Sequence, residues 1–153
     1  MNFPILSGAC VVNDEKVLIL QQRDDVIHPG KWGPPGGHGN DGESLIEVAI
    51  RETKEETNLD IEIEGLVQSA LATSPDGKVY IIALYLARAK NIGELKICAK
   101  EAKDYVWASL DEIESDKYSY RDPIIKPVLI RALREKAAPS NSFIIFNLET
   151  DIY

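Results

Sequence analysis

Glu52, Glu55 and Glu56 crowd three carboxylates into the segment RETKEETNL, and four glycines precede them in GGHGNDGES. At about 100° per residue, a helix over 43–57 gathers Leu45, Ile46, Ala49, Ile50 and Thr53 in one sector, which is expected to face the core. The three glutamates fall along one edge of that sector. Like charges three and four residues apart repel, and partial burial raises the cost. Lys54 points to the far side and Arg51 lies beyond Glu55, so neither neutralises the whole group. A divalent cation would. Hard cations such as Mg²⁺ take oxygen ligands from a few carboxylates, water and substrate phosphates. Gly36 and Gly37 let backbone approach a metal or phosphate closely, and Gly39 and Gly42 permit a tight loop. The alternative is a solvated acidic face with no ligand.

Several elements must position this helix. Two β-rich runs, 5–12 and 16–22, flank the turn residues Asn13, Asp14 and Glu15 at hairpin spacing. A long Pro-, Gly- and Trp-bearing loop follows, DDVIHPGKWGPPGGHGNDG, and connections of that length are commonly functional. Beyond the acidic helix, strands are expected near 61–72 and 78–89, joined by a Ser-Pro-Asp-Gly turn. YVWASL reads as another strand, 110–113 as a short helical turn capped by Asp111 and Glu112, and 123–136 as a helix. The tail SFIIFNLETDIY reads as a last strand or a dimer contact. Strands before and after two helices imply a layered α/β or α+β fold with a mixed sheet.

The chain has 153 residues, 44% hydrophobic and 27% charged, and no break in composition divides 1–153 into more than a single domain. No apolar run reaches the roughly 18 residues of a membrane span, and no cationic leader precedes the first strand. The expectation is a cytoplasmic protein with no membrane partner. A net charge of −8 and the lack of a Lys/Arg cluster argue against a nucleic-acid polymer, leaving a small anionic substrate brought in by divalent cations. Cys10 and Cys98 read as buried small hydrophobes.

Gly37, Glu43 and Arg51 to Leu59 together resemble the Nudix box, G-x5-E-x7-R-E-U-x-E-E-x-G-U with U a bulky aliphatic. All five charged positions match: Glu43, Arg51, Glu52, Glu55 and Glu56. Thr53 stands where the family has an aliphatic residue, and Asn58 replaces the glycine at the helix end, where a left-handed residue is wanted. VLILQQR and GKWGPPGG before the box and YVWASLDEI after it also look like the family's flanking segments.

The resemblance implies a Nudix-type α/β/α sandwich with a mixed β-sheet and a hydrolase that cleaves the pyrophosphate linkage of a nucleoside diphosphate derivative. It implies Mg²⁺, with Mn²⁺ able to substitute, held by Glu52, Glu55, Glu56 and the Gly36 carbonyl. Arg51 would pair with Glu43 and hold the loop against the helix. The general base would be Glu52, or Glu101 in a later loop, where Glu101 could instead ligate metal. Arg23 is a candidate phosphate clamp, and Trp32 either packs under the box loop or stacks on a base. His28 and His38 are given no catalytic role. A nucleoside triphosphate, cut to monophosphate and pyrophosphate, is the first substrate expectation. Pro75, where ADP-ribose-cleaving members tend to carry proline, keeps ADP-ribose or a nucleotide sugar as the runner-up. A third reading is an inactive nucleotide-binding regulatory module. Monomer and homodimer stay open.

Overall fold

Continuous apolar runs, buried along most of their length, build β1 (Ile5–Asn13) and β2 (Lys16–Gln21), joined by a tight turn in which Asp14 and Glu15 adopt φ of 51° and 61°. The computed structural model describes residues 3–24, 29–134 and 144–147. His28 and the end of the expected last helix at 135–136 lie outside the described residues. The loop ahead of the acidic helix contains two short strands that sequence periodicity did not indicate, β3 (Trp32–Gly33) and β4 (Gly36–His38). Two- and three-residue strands are too short for a period of two to show.

The remaining strands are β5 (Ile61–Thr73), β6 (Val79–Ala89), β7 (Asp104–Ser109) and β8 (Ile144–Asn147). β1 runs parallel to β6 along one edge. Its other edge meets β4 first and β2 later, both antiparallel. β2 then diverges, with β3 and β7 paired to it. β5 pairs antiparallel with β6 and parallel with β8, so residues 144–147 of the tail form a strand within that sheet. The Ser-Pro-Asp-Gly stretch closes β5 to β6 as a β-turn, with the Gly77 N–H donating to the Ser74 carbonyl at 2.9 Å and Gly77 at φ 87°. Pro75 thus occupies the second turn position, which its fixed φ suits.

Helices cover both faces. α2 (Leu110–Glu114) and α3 (Ile125–Leu133) pack with Cys10, Val12, Val17, Ile19 and Val67. On the opposite face, α1 (Leu45–Thr57) sets Ala49 and Leu45 against Ala83 and Tyr85. The result is the expected sandwich. α2 is capped by Ser109, in a capping box with Glu112; Asp111 lies in its first turn without being the cap. Cys10 is fully buried, whereas Cys98 is half-buried outside any strand. Among the described residues no helix is long and apolar enough to cross a membrane.

α1 is delimited as its sequence suggests. Ser44 and Glu47 form a capping box at 3.2 and 2.9 Å. Asn58, in the left-handed region at φ 62°, closes the other end, its N–H donating to the Lys54 carbonyl. Its core-facing side differs from the wheel reading. Val48, Ala49, Thr53, Glu56 and Thr57 are buried, while Ile46 and Ile50 are 44% and 39% exposed. The inner face, resting on β1 and β4, is centred nearer Glu52 and Glu56 than the apolar pattern implied. That rotation forgoes much of the roughly 1.5–3 kcal/mol that burying each isoleucine would supply.

Thr53 carries a further cost. It is 0% exposed and its hydroxyl has no hydrogen-bond partner. Thr53→Val keeps the shape and removes the unmet hydroxyl, so a stabilisation of about 1 kcal/mol is expected, a rise of about 2–4 °C in Tm. A lower melting temperature would show that the hydroxyl is satisfied.

Candidate active site

Arg51 organises the mouth of the site. Its Nε and Nη2 donate to the two Glu43 oxygens at 2.6 and 2.9 Å, and Nη2 also donates to the His38 carbonyl at 2.9 Å. This bidentate pair ties the loop after β4 to the helix. It also holds the Glu43 carboxyl at about 2, the Arg51 hydrogen bond acting first and the Asn40 N–H second. Nη1 reaches further than the wheel suggested, to Glu52 at 2.8 Å and Glu55 at 3.3 Å. Arg51 therefore offsets part of the acidic group, although Glu56 is not among its partners.

Glu56 is 9% exposed, and its Oε1 accepts the Gly36 N–H at 3.1 Å. Burial pushes its carboxyl up to about 8; the nearby Arg121 charge and the Gly36 N–H pull it down, and Glu52 and Glu101 push it further up. Glu52 is also raised, by burial first, with Arg51 opposing. Glu55 stands at the rim with its side chain 53% exposed.

The glycines are explained by the protein itself. A Cβ on Gly36 would lie 2.7 Å from Gly8 Cα and the Ser7 oxygen, so Gly36 allows β4 to press against β1. A Cβ on Gly37 would lie 2.6 Å from the Glu52 carboxyl carbon. The expected open approach at Gly37 is thus already taken by Glu52. Because that carboxyl is the movable end of a side chain, Gly37→Ala should displace it with little loss of fold. We expect turnover to fall about 10- to 100-fold, the scale of a misplacement near 1 Å. Unchanged kcat with a normal melting curve would contradict this.

Glu101 sits exposed in the connection between β6 and β7, close enough to Glu52 and Glu56 to raise both. Backbone bonds moor this connection. The N–H groups of Lys96 and Cys98 donate to the Thr57 and Glu56 carbonyls at 3.0 and 2.9 Å, using the orphan acceptors of the helix end. Arg23, expected to face the glycine-rich loop, donates instead from Nη1 to the Lys100 carbonyl at 2.6 Å, beside Glu101. Trp32 packs edge-on to Tyr118, with ring centroids 5.2 Å apart, against the α2–α3 core.

Thus Glu43, Arg51, Glu52, Glu55, Glu56, Gly36, Gly37 and Glu101 come together, Arg23 borders them, and Trp32 faces another layer. Arg121 escaped the sequence reading. It follows no period or motif, and only the tertiary fold brings it near Glu56.

Among the described residues no three acidic, histidine or cysteine side chains already converge at metal-ligating distance. The donor chemistry nevertheless fits a hard cation. The donors are carboxylate oxygens, and the buried Glu56 carboxyl lies in a site where a further positive charge would favour its ionised form.

Comparisons with known proteins identify the family. The NUDIX domain model matches residues 4–128, and the chain belongs to the Nudix hydrolase family. It is 34% identical over 99 residues to a bis(5'-nucleosyl)-tetraphosphatase [asymmetrical] of Rattus norvegicus, a match covering 62% of this chain and 65% of that one. The chain thus spans just under two thirds of that relative's length. It is 26% identical over 111 residues to phosphatase NudJ of Escherichia coli, covering 72% of this chain and 71% of that protein. A crystal structure of a NUDIX hydrolase from Nitrosomonas europaea superposes with a TM-score of 0.75 at 24% identity, covering 96% of this chain and 80% of the other.

Proposed function

We propose that the chain is a divalent-cation-dependent pyrophosphohydrolase of nucleoside diphosphate derivatives. The observation that carries this reading is the rotation of α1, which turns Glu52 and Glu56 inward and leaves Ile46 and Ile50 at the surface. A helix selected for stability alone would do the reverse.

Glu52, Glu55, Glu56 and the Gly36 carbonyl would hold the cation, Mg²⁺ or Mn²⁺. Once bound, it supplies positive charge against the phosphates and lowers the pKa of an attacking water. Glu52, half-buried and held by Arg51 at 2.8 Å, is the first candidate to take the proton from that water, and Glu101 is the second. Water adds across one P–O–P linkage, its oxygen bonding to phosphorus as the bridging oxygen leaves with the other fragment. Arg51 keeps the loop and Glu52 in register, and the surface charge at Glu55 completes the acidic edge.

Bis(5'-nucleosyl) tetraphosphates come first among substrates, on the likeness to the rat tetraphosphatase. Nucleoside triphosphates, which the sequence alone placed first, come second. The turn geometry accounts for Pro75 without a substrate and removes the particular support for ADP-ribose. A panel of dinucleoside polyphosphates, nucleoside triphosphates, ADP-ribose and nucleotide sugars, assayed with Mg²⁺ and with Mn²⁺, tests the proposal. We expect one class to dominate by kcat/KM. No metal-stimulated hydrolysis of any of them would refute it and favour a binding module.

A further inference from the structure

Arg121 sits in the segment between α2 and α3, stitched beside the strand that precedes the box. The Trp32 N–H donates to the Ser119 carbonyl at 2.8 Å, and the Arg121 N–H donates to the Trp32 carbonyl at 3.2 Å. The guanidinium then runs under β3. A Cβ on Gly33 would lie 2.5 Å from its Nε and Nη2, so Gly33 leaves room for Arg121. Nη2 donates to the Pro34 carbonyl at 3.0 Å.

That contact falls at a critical place. Pro34 and Pro35 form the crossover from β3, which belongs with β2, to β4, which belongs with β1. Prolines offer no N–H, so their carbonyls must hold the crossover. The Pro35 carbonyl accepts the Ala9 N–H at 3.0 Å, and Arg121 secures Pro34. The next residue, Gly36, directs its N–H to Glu56. The Arg121 Nε is buried with no hydrogen-bond partner. An apolar side chain filling the same space would avoid that cost but could not donate to the Pro34 carbonyl.

We propose that Arg121 is a positioning residue of the active site. By filling the space beside Gly33 and holding the Pro34 carbonyl, it fixes the crossover whose Gly36 N–H sets the orientation of the Glu56 carboxylate. The inference rests on the hydrolase reading given above. It differs from phosphate binding, which would act through substrate affinity, and from simple stitching, which would act through stability.

The test uses Arg121→Met, Arg121→Lys and Gly33→Ala in the full chain, with thermal unfolding recorded first and kinetics measured where each variant is folded. Gly33→Ala leaves the arginine in the sequence and evicts its guanidinium. Arg121→Met and Gly33→Ala are each expected to lower kcat tenfold or more with KM within threefold, and Arg121→Lys to recover part of the loss. The double variant should be no slower than the worse single one, because both changes break the same link. Calorimetric titration with Mn²⁺ alone should show altered binding in Arg121→Met and Gly33→Ala. The inference is overturned if kcat of the folded variants stays within twofold of wild type, if the loss lies in KM, or if the two changes multiply. Should Arg121→Met fail to fold, Gly33→Ala and Arg121→Lys decide by the same criteria. A wild-type protein inactive on every substrate with either metal would instead sink the hydrolase reading itself.

Discussion

Glu55→Gln and Glu56→Gln are each expected to reduce metal-dependent turnover by a factor on the order of 10³ or more, the several kcal/mol that a well-held cation contributes. Both changes remove charge and leave volume almost untouched. Their effects on stability should differ. Glu55 has a side chain 53% exposed, and its replacement should leave the melting temperature nearly unchanged, as for most surface sites. Circular dichroism and phosphate release measured on the same preparations check both halves. Near wild-type turnover in the two variants would remove these residues from the metal site.

In metal-free protein the second large effect has the opposite sign. The Glu56 carboxyl stands at about 8 in the fold against an ordinary value of 4.5, so between those pH values the folded state binds the extra proton. Stability therefore falls as pH rises through the window and is fully retained below about 4.5. At about 1.4 kcal/mol per pH unit, the loss reaches roughly 3–5 kcal/mol by pH 8. Glu52 and Glu101 strengthen the effect, while Arg121 and the Gly36 N–H limit it. Glu56→Gln keeps an oxygen acceptor for Gly36 and cannot ionise. With chelator present, it should melt about 6–20 °C above wild type at pH 8 and close to it at pH 4.5. A difference that does not vary with pH would mean that Glu56 does not carry the buried charge. The same substitution would thus strengthen the empty fold and disable the enzyme, which is the pattern expected where stability is given up for function.

Much of this site was legible because its spacing is local. Glu43, Arg51, Glu52, Glu55 and Glu56 lie within fourteen residues on one loop and one helix, where helical geometry fixes who neighbours whom. Asn58 marked the end of the helix as a left-handed cap, whereas the Ser44 cap at its start went unread. The inward face was misjudged because apolar pattern measures what would be favourable to bury, and this helix buries acids. Arg121 and the Arg23 contact with Lys100 depend on segments far apart in sequence, and no periodicity encodes such meetings. Gly33 and Gly37 were visible as glycines, but their reasons were not. Each leaves space for one side chain, Arg121 and Glu52 respectively, that only the folded chain brings there.

The connection from β6 to β7 grips the end of α1 through main-chain bonds to the Glu56 and Thr57 carbonyls and through Asn91, whose Nδ2 donates to the Asn58 carbonyl at 3.2 Å. The main-chain part of this joint is indifferent to the identity of the residues that make it. Replacing the Lys96 or Cys98 side chain therefore leaves those two bonds in place, and with them the approach of Glu101 to Glu52 and Glu56.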